Sequence, residues 1–398
     1  MCSTNTSRPD PIAMTRTALI TALFGGTSLL ALPAAALPLD IESEIEAATV
    51  IGLLDEDASD AEDILYEITL DTEAETILKN GTVLGARLTL RGQRDHPDRP
   101  GFAGRFDTGA PLAGGYSGLS GLAPDEETGA RGRLETAYLV ADGGYGELRL
   151  GKDRGVAARF HEGGPTSLVF SGVSNPYLDP TGLKINRTNH DVTGPSVKLS
   201  YATPRILGLR AGASFTPDGD GRHLDRSLSQ FREQPGLSDV FEVAANLSRT
   251  LRSSGTRIEA SLGWSSAKID SPAPGARGRM ETWSAGANVE FSEFSVGASW
   301  LGSDNGFQGG DYEAWEAGIA RDFGETEVSL GYGEADDNLA RLSSKGFNIA
   351  AARELSDGFD VALSYQDEKL DTPAGERSGA GIVVEITLSS DFFRMSRN

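Results

Sequence analysis

Along most of the chain apolar residues alternate with small or polar ones, a period of two that puts the two sets on opposite faces of an extended strand. In 257–265, Ile258, Ala260, Leu262 and Trp264 share one face while Arg257, Glu259, Ser261 and Gly263 share the other. Phe294, Val296, Ala298 and Trp300 alternate with Ser295, Gly297 and Ser299. Phe359, Val361, Leu363 and Tyr365 alternate with Asp360, Ala362, Ser364 and Gln366. The apolar set is aromatic at one or both ends, which is where a strand crossing a bilayer meets the headgroups.

The connections fall into two kinds. Short turns such as Lys79-Asn80-Gly81, Asp142-Gly143-Gly144, Thr203-Pro204-Arg205, Ser292-Glu293 and Ser356-Asp357-Gly358 separate pairs of strands, and long polar stretches at 92–131, 152–193, 216–239 and 267–280 lie between the pairs. This short-long rhythm marks a bacterial transmembrane barrel. It predicts strands near 63–77, 82–92, 132–141, 144–151, 194–203, 207–215, 240–251, 255–266, 281–291, 294–302, 312–323, 325–333, 346–355, 358–367 and 381–393. With both chain ends on the short-turn side the number must be even, so one more strand is expected in 40–54, where Ile45, Ala47 and Val50 to Leu54 supply the pattern. The expected fold is all-β, a transmembrane antiparallel β-barrel of sixteen strands with short periplasmic turns and long extracellular loops. Closure is required because an open sheet edge in lipid would leave backbone groups unsatisfied.

Composition narrows the alternatives. With 38 % hydrophobic and 24 % charged residues and 49 glycines, the chain is too polar for a helical membrane protein. Beyond the N-terminal leader no stretch reaches the roughly 20 apolar residues of a membrane helix. A net charge of −22 argues against nucleic acid as a partner. From Met14 the run MTRTALITALFGGTSLLALPAAA has a basic start at Arg16, an apolar stretch over 18–32 and small residues at Ala34 and Ala36. It reads as a signal peptide cleaved after Ala36, preceded by an upstream extension. Residues 1–36 are thus expected to be removed, taking Cys2, the one cysteine, with them, and 37–398 to form one exported domain.

Signals for chemistry are weak. Asp218-Gly219-Asp220-Gly221 lacks the remaining ligands of a calcium loop, and His96, His161, His190 and His223 show no metal-ligand spacing. No nucleophile elbow is present. No catalytic residue, metal or cofactor is expected.

Four stretches, 75–93, 138–154, 191–215 and 382–393, resemble the general porins of Gram-negative bacteria, especially those of α-proteobacteria. The second crosses a glycine-rich turn and ends in Gly151-Lys152, and the fourth is similar to the terminal strand read by the barrel-assembly machinery. One departure is that Phe392 and Phe393 are followed by Arg394 to Asn398, where the family ends on an aromatic residue. The resemblance implies an outer-membrane homotrimer in contact with lipid, each barrel a water-filled channel for passive diffusion of small hydrophilic solutes and ions. It also implies that the third loop, 152–193, folds inward, with Leu168, Val169, Phe170, Tyr177 and Leu178 packing it against the wall. The loop acids Asp153, Glu162 and Asp179 would then face the basic wall positions Arg87, Arg91, Arg149, Lys198 and Arg210, which parity puts on the lumen side with Thr89 and Glu147. Opposed acid and base would order water and polar solutes, and the acidic balance hints at cation preference. The competing reading is a secreted or cell-surface β-rich binding or adhesion protein whose alternating faces pack two sheets together.

Overall fold

The computed structural model describes residues 39–56, 64–99, 113–119, 130–219, 236–270 and 274–396. The expected signal peptide lies outside the described residues, as do Asp220, Gly221 and His223. Sixteen strands form one closed barrel in which each pairs antiparallel with its chain neighbours and β1 closes on β16. The first half comprises β1 (Asp40–Glu56), β2 (Ile64–Ile77), β3 (Val83–Arg94), β4 (Arg131–Gly143), β5 (Gly146–Asp153), β6 (Ser196–Ala202), β7 (Leu209–Asp218) and β8 (Gly236–Thr250). The second comprises β9 (Arg257–Asp270), β10 (Arg279–Phe291), β11 (Phe294–Ser303), β12 (Tyr312–Phe323), β13 (Thr326–Asp337), β14 (Leu342–Ser356), β15 (Phe359–Thr372) and β16 (Gly375–Ser396). One helical turn, α1 (Val156–Arg159), interrupts the β structure.

Three ladders run further than alternation predicts, one of them β8–β9, which reaches Gly236↔Asp270. The β13–β14 ladder continues through Glu334↔Lys345 and Asp336↔Ser343, and the β15–β16 ladder through Lys369↔Ser378 to Thr372↔Gly375. Beyond the bilayer a strand no longer needs an apolar outer face, so the alternation stops while the backbone ladder goes on.

Burial is inverted relative to a soluble sandwich. On β9, Leu262 is 64 % exposed on the outer face while Ser261 and Ser265 are buried inside, and on β15 Leu363 faces out while Ser364 and Gln366 face in. A row of outward aromatics crosses β7 to β14 through the cross-strand pairs Phe215↔Phe241, Trp264↔Trp283, Trp300↔Trp315 and Tyr332↔Phe347. Ring centroids stand 6.4 Å apart for Phe241 and Trp264, 6.1 Å for Trp264 and Trp283, and 5.5 Å for Trp315 and Tyr332. Amphipathic rings in such a band suit the bilayer interface.

The apolar core lies inside the barrel, at the long-loop end. There Leu237, Ile269, Met280, Leu301 and Tyr312 of the wall pack against Leu183, Ile185 and Val192 of the third loop and against Tyr116 and Leu119 of the second.

Leu262→Arg puts a charge on the outer face midway along β9. It is expected to lower the stability of the folded barrel by about 2–4 kcal/mol if that position lies near the bilayer midplane. Urea titration in lipid vesicles measures this, and a loss well under 1 kcal/mol would mean that Leu262 does not face hydrocarbon.

Candidate functional site: the lumen and its inward loops

Residues 154–195, between β5 and β6, lie inside the barrel and run around its inner wall and back. On the outward pass the Val156 N–H donates to Ser214 Oγ of β7 at 3.3 Å and the Glu162 N–H to Ser261 Oγ of β9 at 3.0 Å. The Ser167 N–H then donates to Ser329 Oγ of β13 at 2.9 Å. At the far side the N–H groups of Val169, Phe170 and Ser171 converge on the Glu385 carboxylate of β16, at 3.0, 3.3 and 2.6 Å. Gln93 of β3 donates to the Tyr177 carbonyl at 2.6 Å. On the return pass Lys184 donates to Gln366 Oε1 of β15 at 2.7 Å and Asn186 to the Trp315 carbonyl of β12 at 3.1 Å. Both His190 ring nitrogens then lie 2.8 Å from serine hydroxyls, Ser284 on β10 and Ser265 on β9.

Two wall glycines explain how a backbone runs this close to a sheet. A Cβ at Gly286 would overlap the Glu162 carbonyl oxygen, and one at Gly318 would collide with the Pro165 carbonyl. Of the apolar loop residues, Phe170 and Leu178 pack into Ala48, Val50, Leu65 and Val383 with Tyr177 alongside, and Leu168 packs on Ala350 and Ala362. Val169, expected to join them, is 65 % exposed. Its own N–H is the first of the three aimed at Glu385, and its side chain lines a cavity.

The predicted charges divide into groups. Asp153 closes β5 and accepts from Arg149 at 3.1 Å and from the Arg154 N–H at 2.8 Å, the one place where a loop acid meets a predicted wall base directly. Arg149 also pairs with Glu147 at 3.0 Å, Arg210 reaches Glu147 at 3.6 Å, and Arg159 of α1 pairs with it as well. Glu147 is thus shared by three guanidinium groups. Arg87 is held by Asp71 at 2.5 Å, and Arg91 by Glu67 at 2.5 Å with its guanidinium 4.5 Å over the Tyr177 ring.

The remaining three are engaged elsewhere. Lys198 is buried among loop groups, donating to the Asp153 carbonyl, to Thr193 Oγ1 at 2.8 Å and to the Gly194 carbonyl at 2.9 Å. Glu162 accepts from Asn246 at 2.7 Å, and burial, followed by the neighbouring Glu259 carboxylate, pushes its pKa above the ordinary value. Asp179 is wholly buried and accepts from the Thr181 hydroxyl and the Lys184 N–H, both at 2.7 Å. Burial opposes its charge, but Lys184 and Arg99 hold its carboxyl below the ordinary range. Its partners lie in the loops, away from the predicted basic wall.

Parity on the strands did not reveal three further features. The loop carries its own bases, Arg154, Arg159, Lys184 and Arg187, while wall acids such as Glu316 and Glu385 receive loop donors, so much of the polarity runs from a basic loop to an acidic wall. A count of lysine and arginine in 152–193 is the signal that could have shown this. Residues 113–119 of the β3–β4 loop also enter the lumen. The Gly115 N–H donates to the Asn305 carbonyl, the Ser117 N–H to Asn305 Oδ1 at 3.0 Å, and Tyr116 Oη to the Asn189 carbonyl at 2.8 Å. The third loop, with Glu316 of the wall, also lines a cavity of about 270 Å³.

Over residues 45–373 the chain matches the family model described as Gram-negative porin. The chain belongs to the Gram-negative porin family. No curated protein matches it. Among solved structures, the porin is similar to Salmonella typhi OmpF in complex with daunomycin, at 14 % identity and a TM-score of 0.58 over 88 % of this chain and 97 % of that one. It is similar also to Pseudomonas putida OprB in a high-pH structure, at 11 % identity and a TM-score of 0.55 over 92 % and 97 %. An anion-selective porin from Comamonas acidovorans matches at 14 % and 0.51 over 89 % and 99 %. At these identities the likenesses establish the fold. The family and the closed barrel place the porin in the outer membrane as a channel for passive diffusion, and the adhesion-protein reading is not favoured.

Two loop histidines, His190 buried and His161 half-buried, are expected to make the porin acid-sensitive. Burial pushes His190 down to about 3 and His161 to about 4, so both are neutral in the folded state at pH 7. In the unfolded chain each takes up a proton near pH 6.5. The stabilisation is therefore full above that pH and is lost as pH falls toward 4, by about 1.4 kcal/mol per unit for each histidine. The melting temperature is expected to drop more between pH 7 and 4.5 in the native porin than in a His161→Gln, His190→Gln double variant. Equal drops would disprove the assignment. Separately, replacing 113–119 by seven Gly and Ser residues is expected to raise single-channel conductance, since it removes Tyr116 and Leu119 from the lumen. Unchanged conductance would mean the current bypasses that segment.

Proposed function

We propose that the porin's narrowest passage is the space left inside the circuit of the third loop, and that its solutes are small, hydrophilic and sieved by size and charge. The loop's unbroken course along the inner wall carries this reading, because any solute crossing the barrel must pass within it. Arg149, Arg210 and Asp153, together with Glu147 and Arg159, form a charged wall on β5–β7, while Arg87 and Arg91 line β3. Lys198 and Asp179 fasten the loop, and Glu162 holds it to β8 through Asn246. The protein acts by shape and field and performs no chemistry.

Lumen-facing carboxylates outnumber bases on the first two strands. Glu42, Glu44 and Glu46 on β1 stand opposite Glu73, Asp71 and Thr69 on β2, where Arg394 of β16 pairs with Glu42, Arg87 with Asp71 and Arg91 with Glu67. Such a surplus favours cations. Assembly as a homotrimer fits the outer surface: the aromatic pairs span β7 to β14, whereas Leu53, Ile68, Leu88, Leu139 and Leu150 on β1–β5 present exposed aliphatic side chains for barrel-to-barrel contact. Export by the leader, with recognition of β16 by the barrel-assembly machinery, would precede it.

The test is single-channel recording of the refolded protein in a planar bilayer with a salt gradient. Stepwise openings in groups of three with a cation-sign reversal potential are expected, the potential shrinking in a Glu44→Gln, Glu46→Gln double variant. A folded barrel that never conducts would defeat the diffusion reading, and an anion-sign potential would defeat the charge argument alone.

A further inference from the structure

Residues 114–119 of the second loop form a closed knob seated on one wall-loop residue. The Gly114 N–H donates to the Leu119 carbonyl at 3.3 Å, the Gly118 N–H to the Gly114 carbonyl at 3.0 Å and the Leu119 N–H to Ser117 Oγ at 3.3 Å, which closes the turn. The three N–H groups between go to Asn305 in the β11–β12 loop: Gly115 to its carbonyl at 2.9 Å, Tyr116 and Ser117 to its Oδ1 at 3.3 and 3.0 Å. A Cβ at Gly114 would overlap the Asn305 side chain, so the knob and its seat touch without a gap. Asn305 lies in the left-handed region at φ 49°, which asparagine and aspartate enter more readily than other residues that carry a side chain.

Asp337, buried at the end of β13, fixes which way the Asn305 amide points. An ionised carboxylate accepts only, so it takes the amide's NH2 group, Nδ2 donating to Asp337 Oδ2 at 3.3 Å, and Oδ1 is left to face the knob. Asp337 also accepts from the Ala340 N–H at 2.8 Å and from the Ser117 hydroxyl. The knob in turn grips the third loop. Tyr116 Oη donates to the Asn189 carbonyl at 2.8 Å and lies 3.3 Å from the Arg187 carbonyl. Tyr312 of β12, its ring 5.3 Å from that of Tyr116, donates to the Ile185 carbonyl at 2.8 Å and accepts from the Arg187 N–H at 2.8 Å. Two tyrosines, one on the second loop and one on the wall, together hold 185–189 of the return pass.

We propose that Asn305 and Tyr116 are positioning residues for the bore of the channel: Asn305, aimed by Asp337, seats the knob, and the seated knob fixes the third loop's return pass through Tyr116. The proposal rests on the diffusion reading above and adds the second loop to what sets the passage. With the knob unseated, 187–189 lose the Tyr116 hydroxyl and Tyr312 loses its ring partner, so the return pass shifts and the bore fluctuates.

The experiment records single channels of the native porin and of three variants, each first shown to be a folded, heat-modifiable barrel. Asn305→Asp sets two carboxylates face to face, and the time spent in levels above the native conductance is expected to rise about tenfold, equivalent to about 1.4 kcal/mol. Tyr116→Phe keeps the ring and loses the hydroxyl, and is expected to move the record the same way by a smaller factor. Combining Asn305→Asp with Asp337→Asn restores one donor facing one acceptor and is expected to return the record to native, which a mere loss of packing would not do. If Asn305→Asp does not fold, Asn305→Ala is read in its place, with the same rise expected. A native record from either single variant, or no recovery in the exchange, would overturn the proposal without touching the diffusion reading. A folded native barrel that carries no current would remove both.

Discussion

Everything in this molecule depends on one requirement, that a strand in hydrocarbon has no partner for its N–H and C=O groups except another strand. An open sheet would leave two edges bare, so the first and last strands must find each other. They do so over their whole shared length, from Asp40↔Ser396 to Glu56↔Gly379, with a single irregularity between Ser43 and Glu44. Once the ring is closed, the period of two sorts every side chain into a lipid set and a lumen set. Leu262 and Leu363 can then be exposed while Ser265 and Gln366 are buried.

The same sorting creates the seat for the third loop. A lumen lined with serine, glutamate, glutamine and glycine offers acceptors and donors at every step of an irregular backbone. The loop uses them one after another, from Ser214 through Ser261 and Ser329 to Glu385. Irregular chain at membrane depth is tolerated because it is enclosed in protein and its polar groups are matched there. At the long-loop end the wall changes character, and Ile269, Met280 and Leu301 turn inward to meet Tyr116, Leu183 and Ile185. The interior is therefore polar at mid-depth and apolar near one mouth.

Much of this was legible in the sequence. Alternation and turn rhythm located fifteen of the sixteen strands, because a lipid-facing side chain cannot be polar without cost, and the need for an even number supplied the weakly patterned first one. The signal failed where that constraint ends. The β13–β14 and β15–β16 hairpins continue past the point at which alternation stops, and residues 113–119 have no periodic signature at all. Parity assigns Arg87, Arg91, Arg149 and Arg210 to the lumen side, and in the structure they pair with Asp71, Glu67 and Glu147. It could not show that Asp179 would be wholly buried with Lys184, or that Val169 would stand free beside Phe170, since loop contacts are set by three-dimensional course and not by spacing. Gly286 and Gly318 read in the sequence as two small lumen residues among many, and only the path of Glu162 to Pro165 gives them a purpose.

The anchoring of the third loop to the last strand also sets an order of events during assembly. Val169, Phe170 and Ser171 stand more than two hundred positions before Glu385 in the chain, and the intervening contacts on β7 to β15 are likewise made by strands that follow the loop. Until the C-terminal strand has joined the sheet beside β15, the tip of the loop has no carboxylate to accept its three N–H groups. Narrowing of the channel is thus the final stage of building it. A barrel stalled before completion would be wide as well as unfinished, and sealing the rim and setting the bore become a single act.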